Sequence, residues 1–241
     1  MQSSIVIPHY KTPDHLEWCL RCLAHFTDEP HEVVVVDNGS GEAMVAPLRE
    51  RKDIVLVERE QGPDLDQVAH MEALDAGIAR ARGRHIVGLH TDTFVFRRGW
   101  LRFLRERLEA QQYLAYGPSH HRLYPPTLAE RLREWWRPEP DDRRWIRPVF
   151  TIYRREIFEE RKFADYGDVG ELTASYVDAG RAGFLPRREA AEWAFHVGGT
   201  TKLKLLQHRK RARKRKDRHW QRFLARDEVR ALLTESPSLG A

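Results

Sequence analysis

In the stretch RGRHIVGLHTDTFVFRRGW (82–100) a run of apolar residues ends in His90-Thr91-Asp92. Alternate side chains of an extended segment point the same way, so His90 and Asp92 share one side and Thr91 and Thr93 the other. An imidazole and a carboxylate set side by side can grip one metal ion. The same pair can be purely structural, with His90 bonded to a neighbour and Asp92 capping the helix that starts near Gly99. The motif by itself leaves both readings open.

The elements that must position this pair are legible from periodicity and punctuation. SSIVIP (3–8), EVVVVD (32–37), IVLVE (54–58) and HIVGL (85–89) read as short strands, apolar enough to be covered on both faces. TPDHLEWCLRCLAHF (12–26) reads as a helix with Thr12 as N-cap and Pro13 in its first turn, and DLDQVAHMEALDAGIARAR (64–82) as a second. Strands alternating with helices predict an α/β fold, a doubly wound, mostly parallel sheet flanked by helices. Such sheets bind ligands outside the carboxyl ends of their strands. Those ends carry Pro8, His9 and Tyr10, then Asp37 to Ser40 with Asn38, then Glu58, then the His90/Asp92 pair. No GxGxxG follows the first strand and no GxxxxGK[ST] occurs anywhere, so dinucleotide-binding and P-loop chemistry lose their usual support.

At 241 residues and 41% hydrophobic content the chain can build one sizeable core. Its longest apolar runs, such as Val33–Val36, are far too short to span a bilayer, and the start lacks the basic and apolar regions of a signal peptide. A cytoplasmic protein is expected. Cys19 and Cys22 share helical spacing with Leu16, Leu20, Leu23 and Phe26, which favours two buried thiols over a redox or zinc pair. Charge is unevenly placed: 13 Lys and Arg stand against 4 Asp and Glu from Lys202 onward, and 28 against 32 before it. The reading is therefore a domain over 1–201 and a basic helical tail over 202–241. Leu203, Leu205, Leu206, Trp220, Phe223 and Leu224 flank the basic run, a composition that suits an anionic membrane surface. On this reading a chain ending near Thr201 keeps its ligand site.

Three segments, SIVIPHYKTPDHLEWCLRCL (4–23), EVVVVDNGSG (32–41) and DAGIARARGRHIVGLHTDT (75–93), resemble in order and spacing the family 2 glycosyltransferases, which have the GT-A fold. The resemblance extends over residues 3–200. It implies a nucleotide-sugar half at 1–98 and an acceptor half at 99–201. It also implies transfer of a sugar from a nucleoside diphosphate sugar to an acceptor hydroxyl with inversion, in polysaccharide or glycolipid assembly. By the same resemblance Asp37 contacts the base, Pro8, His9 and Tyr10 line its pocket, and Asn38 and Thr91 belong to the donor site. HTD stands where the family has Asp-x-Asp, which holds a divalent cation, Mn or Mg; here His90 replaces the first aspartate, and Asp92 is the firmer ligand. Asp75 stands where the family often has Asn, with a role in helix packing or on the diphosphate side.

VFTIYRREIFEERKFADYGDVGELTASYVDAGRAGF (149–184) resembles the acceptor-side segment, where an acidic pair opens a helix. Counting back from Ala182 and Gly183 puts Glu171 at the first acidic position and Leu172 at the second. Glu171 and Asp168 are therefore rivals for the general base. Carboxylates there would also suit a helix N-terminus without any catalysis. WAFHVGGTT (193–201) matches the His-x-x-Gly-x-Thr region and adds His196 to the metal ligands. The implied acceptor is a glycan or a lipid-linked glycan. Two other classes stand beside this one. The basic tail could serve a nucleic-acid-binding protein or a nucleic-acid-modifying transferase. A sugar-phosphate nucleotidyltransferase would want glycines in its first loop, and PHYKTPDHL has none.

Overall fold

Each run read as a strand in the first half is one, to within a residue: β1 (Ser3–His9), β2 (His31–Asp37), β3 (Val55–Glu58) and β4 (His85–Leu89). The computed structural model describes residues 2–60, 67–119, 123, 136, 144–196, 198 and 220–234. Helices α1 (Pro13–Phe26), α2 (Glu42–Arg49) and α3 (Gln67–Arg80) alternate with the strands. The side-chain period of two is visible in the packing. Val33 and Val35 join Leu16, Cys19, Leu20 and Leu23 of α1 on one side, and Val34 and Val36 join Met71, Leu74 and Ile78 of α3 on the other. Gly77 lets α3 lie this close, since a Cβ there would sit 2.4 Å from Val6 Cγ1 and 2.8 Å from Val36 Cγ2.

The second half adds β5 (Thr93–Val95), α4 (Trp100–Ala110), β6 (Ala115–Gly117), β7 (Phe150–Arg154), β8 (Ala182–Phe184) and β9 (Ala194–His196). The main sheet has seven strands in the order β3-β2-β1-β4-β7-β6-β8. Its first four strands are mutually parallel, β7 is antiparallel to both neighbours, and β8 is parallel to β6. Strands β5 and β9 form a separate antiparallel pair in which Thr93 faces His196. Trp100 is a core residue, fully buried, with its indole N–H donating to Thr27 Oγ1.

Cys19 and Cys22 are buried free thiols. Burial pushes the Cys22 thiol up to about 12, and burial with the nearby Cys22 and Asp92 charges raises Cys19 well above the ordinary range. The pair is packing, with the Cys19 thiol donating to the Thr93 carbonyl.

At the opposite end of the sheet from the carboxyl termini, Glu32 accepts from Ser4 Oγ, Arg82 N and Arg82 Nε. Burial alone would raise its carboxyl, but these donors outweigh it and hold the group below the ordinary range. A lowered folded value means the stabilisation is present above the unfolded pKa and fades as pH falls through the folded one. Glu32→Gln is therefore expected to lower the melting temperature at pH 7, with the difference from the parent shrinking well below about pH 4. Melting curves across pH check this; a pH-independent difference would contradict it.

The end of the chain departs from the expectation. A helical turn at 220–224 and the helix Asp227–Thr234 pack onto the domain. Phe223, Val229 and Leu233 are buried in the same core as α1 and β5. Phe223 stacks on Phe195 with ring centroids 4.6 Å apart, and Trp220 lies 5.6 Å from both Trp18 and Phe94. The aromatics read as a membrane-inserting face are therefore core residues, and a chain ending at Thr201 would lack part of its core. Leu203, Leu205, Leu206 and the basic run lie outside the described residues. No described helix is long and apolar enough to cross a membrane.

Candidate active site

The carboxyl ends of β1, β2 and β4 and the β5–β9 pair meet in one place, as their register requires. At the end of β1, His9 is buried and its Nδ1 pairs with Asp37 Oδ1 at 2.8 Å. Asp37 Oδ2 accepts from the backbone N–H of Gly39 and Ser40. Burial raises the Asp37 carboxyl, and His9 with Ser40 more than offsets this, holding it below the ordinary range. The backbone N–H of Lys11 donates to Ser40 Oγ, and Thr12 and Thr91 hydroxyls meet at 3.2 Å. Pro8 and Tyr10 are half-buried beside them. The loops after β1, β2 and β4 thus form one hydrogen-bonded unit.

Asn38 is held by a residue the sequence reading did not single out. Arg59, one position past β3, donates to Asn38 Oδ1 at 2.7 Å and to Glu72 at 2.6 Å, while the Asn38 amide donates to the Ala69 carbonyl. Its place at a strand's carboxyl end was the available signal. Glu58 instead pairs with Arg49 on the surface.

His90, Asp92 and His196 come together although His196 lies far along the chain. Antiparallel pairing of β5 with β9 puts Thr93 opposite His196. His196 Nε2 then lies 3.0 Å from Asp92 Oδ1, and both residues are buried. Asp92 does not cap α4, which is preceded by Gly99 in the left-handed region and has no side-chain cap. Burial opposes ionisation of Asp92, but His196, then His90 and His15, hold its carboxyl far below the usual range. His70, on the first turns of α3, sets its ring edge-on to His90 with centroids 5.0 Å apart. Burial pushes His70 down to about 4, only partly opposed by Asp92, so its ring is neutral at physiological pH.

These residues fit a divalent cation. Two imidazole nitrogens and one carboxylate oxygen lie within 4.8 Å of one another. The 3.0 Å between His196 and Asp92 is close to the spacing of neighbouring donors on one metal with bonds of about 2.0–2.2 Å.

The two candidate bases differ in how they are held. Asp168 Oδ1 accepts from Gly170 N at 2.8 Å and from Arg147 Nη1 at 3.2 Å, and the Gln67 side chain also bonds the carboxylate. Burial raises its carboxyl, but these donors prevail and hold it below the ordinary range. Glu171 takes the backbone N–H of Gly167 at 3.0 Å. Since Gln67 and His70 are three residues apart on α3, one helix face connects Asp168 to the histidine cluster.

Asp75 is corrected. Its two carboxylate oxygens accept the backbone N–H groups of Phe163 and Ala164, each at 2.9 Å. It ties α3 to the 163–165 turn and is not among the groups gathered around Asp92. Of the glycines after His196, Gly198 takes a positive φ beside the His196 ring, and Gly199 lies outside the described residues.

A mostly parallel sheet flanked by helices, with its polar groups at the carboxyl ends and a His/Asp cluster past β4, defines the GT-A class. The chain belongs to glycosyl transferase family 2, whose model matches residues 4–167. The fold is similar to a mannosyltransferase from Pyrobaculum calidifontis solved with GDP-Man and Mn²⁺, at a TM-score of 0.58 and 19% identity, over 78% of this chain and 55% of that one. TarS 1-349 of S. aureus is similar at a TM-score of 0.54 and 16% identity, over 86% of this chain and 64% of that one. Glucosyl-3-phosphoglycerate synthase from Mycobacterium tuberculosis follows at 0.52 and 18%, over 76% and 69%. The chain spans less than two thirds of the length of the first two. No curated protein sequence matches it.

Proposed function

We propose that this chain moves a sugar from a nucleoside diphosphate sugar to an acceptor hydroxyl, by a single inverting displacement that depends on a divalent cation. The observation that carries the proposal is the His90–Asp92–His196 cluster at the carboxyl ends of a family 2 sheet. The mannosyltransferase structure contains GDP-Man and Mn²⁺, and TarS has been solved with UDP and with UDP-GlcNAc. A bound cation would supply positive charge against the diphosphate as it leaves. His90, Asp92 and His196 would hold that cation. Pro8, His9, Tyr10, Asp37, Asn38 and Thr91 would frame the nucleotide, with His9 fixing the Asp37 carboxylate.

Asp168 is the better-positioned carboxylate for the base, and the donors that fix it also lower its basicity. Gly170 N, Arg147 and Gln67 fix its carboxylate, whereas among the described residues Glu171 accepts one local backbone bond. A fixed carboxylate can take the acceptor proton as the hydroxyl attacks. A screen of nucleotide sugars for Mn²⁺-dependent transfer or hydrolysis tests the activity, and binding or turnover of none of them would overturn it. With the active donor, Asp168→Asn should cost about 10² to 10⁴ in turnover with donor binding little changed. Glu171→Gln should cost under about tenfold; the reverse order would make Glu171 the base.

A glycan or lipid-linked acceptor at an anionic membrane surface now rests on residues 202–219, where 10 Lys and Arg accompany a single Asp. Full-length protein is expected to sediment with anionic vesicles at low salt and to release as salt rises. Preference for duplex DNA over vesicles would favour a nucleic-acid acceptor instead.

A further inference from the structure

We infer that His70 is a further nitrogen donor to the cation site, and that this nitrogen-rich site selects a transition-metal dication over Mg²⁺. The inference takes from the proposed function only the location of the cation; it does not depend on sugar transfer.

Three imidazoles stand in a row beside one carboxylate. His70 meets His90 edge to face at 5.0 Å and 88°, and His90 meets His196 at 5.3 Å and 74°. His15, on α1, is a fourth imidazole close enough to act on the Asp92 charge. Asp92 is the one carboxylate among the described residues of this group.

His70 has an observation of its own. Its Nε2 is buried and has no hydrogen-bond partner among the described residues. A buried polar nitrogen left without a partner is costly, and most such atoms in folded proteins find one. Among the described residues no hydrogen-bond partner accounts for the ring, which lies edge-on to His90. His70 neighbours, through His90, the three residues whose donor atoms fall within 4.8 Å of one another.

Donor chemistry then decides the metal. Mg²⁺ demands oxygen ligands and sheds water reluctantly. A second carboxylate at position 90 would suit it, whereas His90 removes one negative charge and one hard oxygen. Imidazole nitrogens suit Fe²⁺, Co²⁺, Ni²⁺ and Zn²⁺ better than Mn²⁺, which binds most weakly of the first-row dications. A site of one carboxylate and two or three imidazoles belongs to that group.

The test uses full-length protein freed of metal, titrated with Co²⁺ and followed by its visible absorption, with Mg²⁺, Mn²⁺ and Zn²⁺ as competitors and no donor present. Co²⁺ and Zn²⁺ are expected to bind at least about 100-fold more tightly than Mg²⁺. His70→Phe keeps a ring against His90 but removes its nitrogens, and should weaken Co²⁺ binding about ten- to a hundredfold and shift the absorption band. His70→Ala should do the same and serves if the Phe variant melts early. Equal affinity for Mg²⁺ and Co²⁺ in the parent protein would overturn the selectivity. An unchanged spectrum and affinity in both His70 variants would overturn the ligand. Selective Co²⁺ binding without sugar transfer would sink the proposed function and leave this inference standing; sugar transfer with indifferent metal binding would do the opposite.

Discussion

Asp92→Ala is expected to lower sugar transfer about a thousandfold or more while the domain stays folded. Asp92 is the one carboxylate in the described cluster with His90 and His196, so without it the cluster holds a dication poorly and the leaving diphosphate loses that cation's charge. The fold should tolerate the change. Burial opposes the Asp92 charge, so the substitution takes a charge out of a buried site. The cost is that of a lost buried hydrogen bond, about 1–3 kcal/mol. His90→Ala should be milder, because Asp92 and His196 still pair. Initial rates over a range of Mn²⁺ concentrations, with a melting curve for each variant, check this. Turnover by Asp92→Ala within about tenfold of the parent would remove Asp92 from the catalytic machinery.

Ending the chain at Thr201 is expected to destabilise the domain severely and abolish donor binding. Phe223, Val229 and Leu233 are 2%, 1% and 7% exposed, so the missing segment takes three side chains out of the core. Each is worth about 1.5–3 kcal/mol. Their sum is a large part of the 5–15 kcal/mol that holds a typical domain together. The loss would also uncover Phe94 and Phe195, the middle residues of β5 and β9, whose pairing brings His196 to Asp92. Changing Lys and Arg to Ser at 209–211 and 213–216 in the full chain should leave the melting temperature nearly unaltered, since it spares the buried aromatics. A truncated protein melting within about 2 °C of the full chain would refute this account.

Much of the fold was legible in the sequence because local chemistry dictates it. EVVVVD has to be a strand covered on both faces, and the structure divides its valines between the two cores. The spacing of Leu16, Cys19, Leu20, Leu23 and Phe26 defines the buried face of α1 without any tertiary information. His90 and Asp92 were visible as chemistry because a polar pair ends an apolar strand. Helix α2, with Pro47 inside it, was not read, since one proline in eight residues masks the helical pattern. The antiparallel entry of β7 was also hidden, because a strand's sequence carries no mark of its direction.

What remained was decided by which surfaces the chain brought together. The family-like motif could name His196, but only β5–β9 pairing puts its ring against Asp92. Asp75 stood open between packing and the donor side until the 163–165 turn presented two backbone N–H groups to its carboxylate. His70 read as one more position on a helix, since nothing local tells which strand end the first turns of α3 will face. Trp220 and Phe223 have the spacing of an amphipathic helix, and that pattern is the same whether the apolar face meets lipid or protein. The hydrophobic effect is non-directional, so the sequence determines that these rings leave water, and the tertiary structure alone decides that Phe195, Phe94 and Trp18 receive them.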